Sequence, residues 1–197
     1  VIAAFVGLGV LLFVLAWGVW VYNRLVALRN RCRNAWAQMD VQLRRRMDLI
    51  PNLVEAVRGY LKHERETLER VIAARNEAMQ AWKAAEVHPE DASAMARAGA
   101  AQAVLGQALM GLRAVMENYP DLKAERPIRE LMEELTSTEN RVAFARQAYN
   151  DEVMRYNTKI ESFPELIVAR AFGFVPFALW REEDSAARKP VRFSLTE

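Results

Sequence analysis

Residues 1–22 read VIAAFVGLGVLLFVLAWGVWVY, with no charged side chain, and residues 23–47 continue NRLVALRNRCRNAWAQMDVQLRRRM without a Gly or Pro. At a rise of about 1.5 Å per residue the first part spans roughly 33 Å as a helix, slightly more than a hydrocarbon core of about 30 Å. It reads as a membrane span. No helix breaker follows, so the pattern predicts one helix that crosses the bilayer and runs on into water as the first rod of a helical domain. A cleaved signal peptide fits less well. No basic region precedes the run, the run is long for such a peptide, and arginines follow at once as a stop-transfer signal. The chain starts at Val1 and not at Met, so a few residues are expected upstream. Ala3 and Gly7 have the small-residue spacing that lets two spans approach, a pairing that is common by chance.

Charge sets the orientation. Residues 23–50 carry seven Arg (24, 29, 31, 33, 44, 45 and 46) against Asp40 and Asp48. By the positive-inside rule the C-terminal domain then lies in the cytoplasm and the short N-terminus outside a cell membrane crossed once. Net charge is only +2, too little to draw nucleic acid, and no nucleic-acid partner is expected. Of 197 residues about 175 lie beyond the span, enough for one good core. Eight Gly and seven Pro are too few for a turn-rich β protein, so the class is all-α.

From Leu25 the apolar positions run Leu28, Cys32, Trp36, Met39, Leu43, Ile50, Leu53, Val57, Leu61, Leu68, Ile72, Met79 and Trp82, the spacing of one helical face. This predicts an amphipathic helix of about sixty residues, kinked but not reversed at Pro51, which removes one backbone hydrogen bond. The first reversal is expected at EVHPED, residues 86–91. The alanine-rich helix that follows presents Met95, Ala98, Leu105, Leu109, Leu112 and Met116. Its Gly99, Gly106 and Gly111 suggest close packing on both sides, with local flexibility as the other reading. A second reversal lies at NYPDLKAERP, and from Ile128 a three-four alternation through Leu131, Leu135, Thr138, Val142, Ala145, Tyr149, Glu152, Tyr156 and Phe163 gives a long antiparallel, coiled-coil-like helix. The architecture expected is a transmembrane helix continuing into an elongated up-and-down bundle of three to four long helices.

ELIVARAFGFVPFALW, residues 165–180, is the most aromatic stretch outside the span. It reads as a short helix stopped at Gly173 and stapled across the bundle end. The alternative is an interfacial segment on lipid or on a partner, with Phe172, Phe174, Phe177 and Trp180 in contact. The polar tail, residues 181–197, has the composition of a disordered segment apart from the alternation Val191, Phe193, Leu195. That VRFSL stretch is expected to add as a strand, or insert in a groove, on an adjacent subunit. Arg44, Arg45 and Arg46 read first as a helix face, and as an assembly contact if a neighbouring copy brings acids such as Glu133, Glu134 or Glu139.

Several of these stretches share a resemblance. YNRLVALRNRCRNAWAQMDVQLRRRMDLIPNLVEAVRGYLKHERETLERVIAARN, ENYPDL, ELTSTENRVAFARQAYNDEVMRYNTKIESFP and ARAFGF, in that order, resemble a LemA family protein over roughly residues 21–176. The tail after Trp180 falls outside that resemblance. Cys32 and Met47 stand where a branched aliphatic and a Tyr are more usual, and both keep an apolar side chain. The resemblance implies a single-pass inner or plasma membrane protein with a cytoplasmic helical bundle and no catalytic motif, of a family mentioned beside membrane proteases and envelope maintenance.

Nothing in the chain points to catalysis. The Glu pairs at 64/66 and 133/134 lie among Arg and Lys in helical sequence and read as solvated faces. With two His and one Cys no metal site can be assembled, and no cofactor is expected. Cys32 reads as a small core residue, with juxtamembrane palmitoylation as the sharper alternative. Two functions remain: a homo-oligomeric scaffold held in the lipid bilayer, or an adaptor presenting its helices to another membrane protein such as a protease. The expected division is 1–22 span, 23–180 bundle and 181–197 tail.

Overall fold

The computed structural model describes residues 2–181. Six helices occur among them and no strand: α1 (Ile2–Arg58), α2 (Arg65–Val87), α3 (Ala92–Met116), α4 (Pro120–Ala124), α5 (Arg126–Glu161) and α6 (Glu165–Ala171). As the sequence predicts, α1 runs unbroken from the apolar stretch into the charged one. It is the one helix among the described residues long and apolar enough to cross a membrane, and none of its most apolar window is buried. Phe5, Leu8, Phe13 and Leu15 all stand exposed, whereas Val21 and Leu25 are fully buried. The change from bare to packed therefore falls where charge enters the sequence.

Packing divides the chain into two compact units. The first holds α1 up to Arg46, Pro89–Ala92 and Thr136–Leu179; the second holds Met47–His88, Ser93–Leu135 and Trp180. In the second unit Leu53, Val57 and Leu61 meet Leu68, Val71 and Ala78 of α2, Leu105, Leu109 and Leu112 of α3, and Leu122, Ile128 and Leu135. Each fully buried Leu or Val there contributes on the order of 1.5–3 kcal/mol.

The first reversal of the chain differs from the expected one. It lies at residues 59–64, where Leu61 N–H bonds the Val57 carbonyl at 3.0 Å and Glu64 N–H bonds the Leu61 carbonyl at 3.1 Å. The apolar register carries through this turn because Leu61 is itself buried, so periodicity alone does not reveal the break. Beyond the turn Leu68 and Trp82 are buried as expected, but Val71, Ala74 and Ala78 fill the face between them, while Ile72 and Met79 are only half-buried. The turn at 88–91 follows as a second reversal.

Pro51 stays inside α1, as the continuous register predicts. Its missing N–H would have bonded the carbonyl four residues back, that of Met47. The Arg75 guanidinium of α2 bonds that carbonyl instead, Nε to O at 3.1 Å. A charged side chain thus replaces the hydrogen bond that the proline deletes.

In α3 all six expected face residues are buried. Gly111 departs from the expectation of close packing, since a Cβ built there meets nothing within 4 Å. In α5, Pro127 sits in the first turn as expected, but Phe163 is 80% exposed beyond the helix end; Val153 and Ile160 take the inner positions of the last turns.

Candidate functional site

The first unit is built on two helices paired head to tail. Arg46 meets Glu139 at 3.7 Å, the Trp36 and Tyr149 rings lie 5.3 Å apart, and the Cys32 thiol donates to the Glu152 carbonyl at 3.2 Å. Ten residues back along α1, from 46 to 36, match ten forward along α5, from 139 to 149. The same pace carries Cys32 and Glu152 to Tyr22 and Ser162. The end of α5 therefore comes level with the residue that closes the apolar run.

There α6 begins, and its end is a Schellman turn. Gly173 takes φ +67, Phe174 N–H bonds the Ala169 carbonyl at 2.9 Å, and Gly173 N–H bonds the Arg170 carbonyl at 3.3 Å. Gly173 alone tolerates that left-handed conformation without strain. The predicted short helix stopped at this glycine is thus observed. Its first-turn Glu165 is buried and paired with Lys159 of α5; that hydrogen bond, with Arg24 nearby, holds the carboxyl below its ordinary range.

Residues after Phe174 form no helix, so their backbone groups need other partners. Side chains of α5 supply them. Tyr156 donates to the Val175 carbonyl at 2.9 Å and Tyr149 to the Ala178 carbonyl at 2.9 Å. The Asn157 amide donates to the Phe177 carbonyl at 2.9 Å and accepts from the Phe177 N–H at 3.0 Å. Burial pushes both phenols above their ordinary range, so each remains a neutral donor. The Phe177 ring packs edge-on to Tyr156, and Trp180 is buried against Trp82 at 5.6 Å in the second unit.

Phe172 and Phe174 go elsewhere: their ring centroids lie 4.9 and 5.7 Å from that of Tyr22. The Arg29 guanidinium lies 5.2 Å from the Phe174 ring, and that of Arg24 lies 5.2 Å from the Trp20 ring. Around this aromatic collar Phe163, Ile167, Phe172 and Val175 are all more than half exposed.

The arginine run divides three ways. Arg44 pairs with Asp40 of its own helix at 2.8 Å, Arg45 is exposed, and Arg46 is buried beside Glu139. One of the acids expected from a neighbouring copy is therefore met within the chain. Glu133 is exposed and Glu134 half-buried on α5. Val191, Phe193 and Leu195 lie outside the described residues. Cys32 is a core residue; burial first, and Glu152 second, push its thiol up to about 11, which disfavours acylation.

Sequence reading missed Asn157, Val41 and Phe144. Phe144 lies off the stripe of Thr138, Val142, Ala145 and Tyr149, and an aromatic outside the periodic face is the signal that could have found it. It is 73% exposed, and with Val41 it flanks a depression of about 450 Å³ lined also by Gln38, Gln42, Arg141, Ala145 and Ala148. Among the described residues no group of three or more His, Cys, Asp or Glu side chains is placed to hold a metal.

The LemA family model matches residues 35–194. The chain belongs to the LemA family. The match passes Trp180 and reaches into the tail, correcting the expectation that the tail stands outside the family pattern. Relatives include magnetosome protein MamQ of Magnetospirillum gryphiswaldense, 25% identical over 168 residues, which are 78% of this chain and 62% of that protein. Magnetosome protein MamQ 2 of Paramagnetospirillum magneticum matches to the same extent. Protein LemA of Metamycoplasma hominis is 22% identical over 181 residues, 89% of this chain and 78% of that protein. The chain thus spans less than two thirds of the magnetosome relatives. No relative is named for an enzymatic activity. This LemA family member is a membrane-associated helical protein with an apolar N-terminal helix.

Proposed function

We propose that this LemA family member is a non-enzymatic, single-pass protein of the cell membrane whose helices outside the bilayer pack against further copies of the chain to form a scaffold. In this reading 1–22 is the span, 23–180 the cytoplasmic bundle, 181–197 the tail, and the N-terminus lies outside. The observation that carries it is the exposed Phe144 and Val41 on the outer faces of α5 and α1, bordering the depression beside Gln38 and Ala148. Large apolar side chains grouped on a helix pair beyond the span favour a protein neighbour over water. The unbroken α1 adds to this, because a helix without a flexible joint transmits the spacing of packed helices to the spans.

The test is the mass of the full-length protein in mild detergent by light scattering. A uniform assembly of several copies is expected, and Phe144→Asp, at a site where the fold does not need the ring, should reduce it to smaller species with unchanged helicity. A monomeric wild type overturns the scaffold and leaves the adaptor reading, in which the helices serve another membrane protein. A Gly-Gly-Ser insertion after Tyr22 that leaves assembly size unchanged would reduce α1 to a tether.

A further inference from the structure

The apolar run of α1 ends in Trp20 and Tyr22, rings of the kind that settle at the boundary between lipid and water. If α1 is the span, as proposed above, Tyr22 fixes the depth of whatever touches it. The ring centroids of Phe172 and Phe174 lie 4.9 and 5.7 Å from that of Tyr22, and the pairing of α1 with α5 independently brings Ser162 to the same level. The α6 segment is therefore held level with Tyr22 by two separate sets of contacts.

What it presents there is apolar. Phe163 is 80% exposed, Phe172 65%, Val175 59% and Ile167 57%, while Val168 and Ala169 are turned inward. Phe163 lies in the turn just before α6 and Ile167 within its first turn. Glu165, the one carboxylate of α6, is turned onto Lys159, whereas Arg170 in the last turn and Arg24 on α1 are exposed. Exposed aromatic and branched side chains beside outward cations are the composition of a helix that lies in the headgroup layer.

We infer that α6 and its flanking residues form a second membrane contact: an interfacial anchor that lies on the lipid around the emerging α1, with Phe163, Ile167 and Phe172 inserted at the acyl boundary and Arg24 and Arg170 at phosphate level. The occupant of this face is the bilayer that α1 crosses. The Schellman turn at Gly173 ends the anchor, and the hydrogen bonds from Tyr156 and Asn157 return the chain to α5. The α1–α5 pair is then held to the membrane at both of its membrane-proximal ends, not by the span alone.

Full-length protein carrying Cys32→Ala, reconstituted in phosphatidylcholine–phosphatidylglycerol vesicles, would be spin-labelled singly through Ile167→Cys, Phe172→Cys, Leu11→Cys in the span and Glu66→Cys on α2. Collision with oxygen, which concentrates in lipid, is compared with collision with a water-soluble nickel chelate. Labels at 167 and 172 should meet oxygen several-fold more than nickel, as at 11, with the ratio reversed at 66. Preferential nickel collision at 167 and 172, with 11 still in lipid, overturns the anchor and leaves the span intact. Exclusion of both reagents at 167 and 172 means that protein covers the face, which also overturns it. Nickel access at 11 overturns the span and the anchor together.

Discussion

The two units reach a packed interior by opposite means. In the unit of Met47–His88, Ser93–Leu135 and Trp180, four chain segments enclose a mainly aliphatic cluster, Trp82 and Trp180 are buried in the same unit, and the helices bring their own hydrogen bonds. The unit of α1 up to Arg46, Thr136–Leu179 and Pro89–Ala92 also buries Val, Leu, Ile and Met side chains, but it holds the irregular backbone after Gly173 as well, and there aromatic and amide side chains, Tyr149, Tyr156 and Asn157, meet the backbone polar groups. An all-helical core needs only shape. A core that encloses irregular backbone needs a named donor or acceptor for each buried polar group. Substitutions should separate the two: apolar truncation should cost most in the first kind and polar deletion most in the second.

The largest effect is expected from Leu105→Ala. Leu105 is fully buried in the aliphatic cluster, and the lost contacts plus the cavity should cost about 2–5 kcal/mol, read as a lower urea midpoint of the detergent-solubilised protein with unchanged slope. Next comes a polar contact on which the aliphatic unit relies. Arg75→Met removes the donor to the Met47 carbonyl and should cost about 1.5–3 kcal/mol. In a Pro51→Ala background the restored N–H can serve that carbonyl, so the same Arg75→Met change should cost far less. An equal cost in both backgrounds would show that Arg75 does not compensate for the proline.

In the aromatic unit Asn157→Ala leaves the Phe177 N–H and carbonyl without their partner. About 2 kcal/mol is expected, together with faster proteolysis between Phe174 and Trp180. Asn157→Asp, which can still accept but not donate, should fall between. Cys32 gives this unit an alkaline limit. The fold raises the thiol from 9.0 to about 11, so its contribution is fully present below pH 9 and is lost as pH rises towards 11. The loss is on the order of 1 kcal/mol by pH 10, and Cys32→Ala should remove that part of the pH dependence.

How much could be read from the chain follows the same division. The long apolar N-terminal helix, the helix class, the α3 face and the stop at Gly173 were legible because periodicity and glycine placement report apolar packing and backbone conformation directly. The turn at 59–64 was not, since Leu61 keeps the apolar spacing through it and Gly59 is a lone signal. The hydrogen bonds of Asn157 and Arg75 were illegible for another reason: their partners are carbonyls twenty and twenty-eight residues away, and no spacing marks a backbone acceptor. Phe144 was missed although its position off the stripe of Thr138, Val142, Ala145 and Tyr149 marks an aromatic of the surface and not of the core.

The smallest effect separates spacing from packing at a single glycine. Gly111 sits inside α3, where a glycine ordinarily signals that another backbone comes close. Here an added Cβ meets nothing within 4 Å, and the position borders an open depression of about 460 Å³ beside Val104, Gln107 and Ala108 of α3 and Ala73, Ala74 and Glu77 of α2. Gly111→Ala then changes only helix propensity and the freedom of the unfolded chain, and should stabilise the protein by about 0.5–1 kcal/mol in the same urea titration. Gain without any change in assembly size marks the depression as a solvated gap in the aliphatic unit. Gain in monomer stability paired with loss of assembly would instead give the α2–α3 face a neighbour, and would move the packing surface between copies away from Val41 and Phe144.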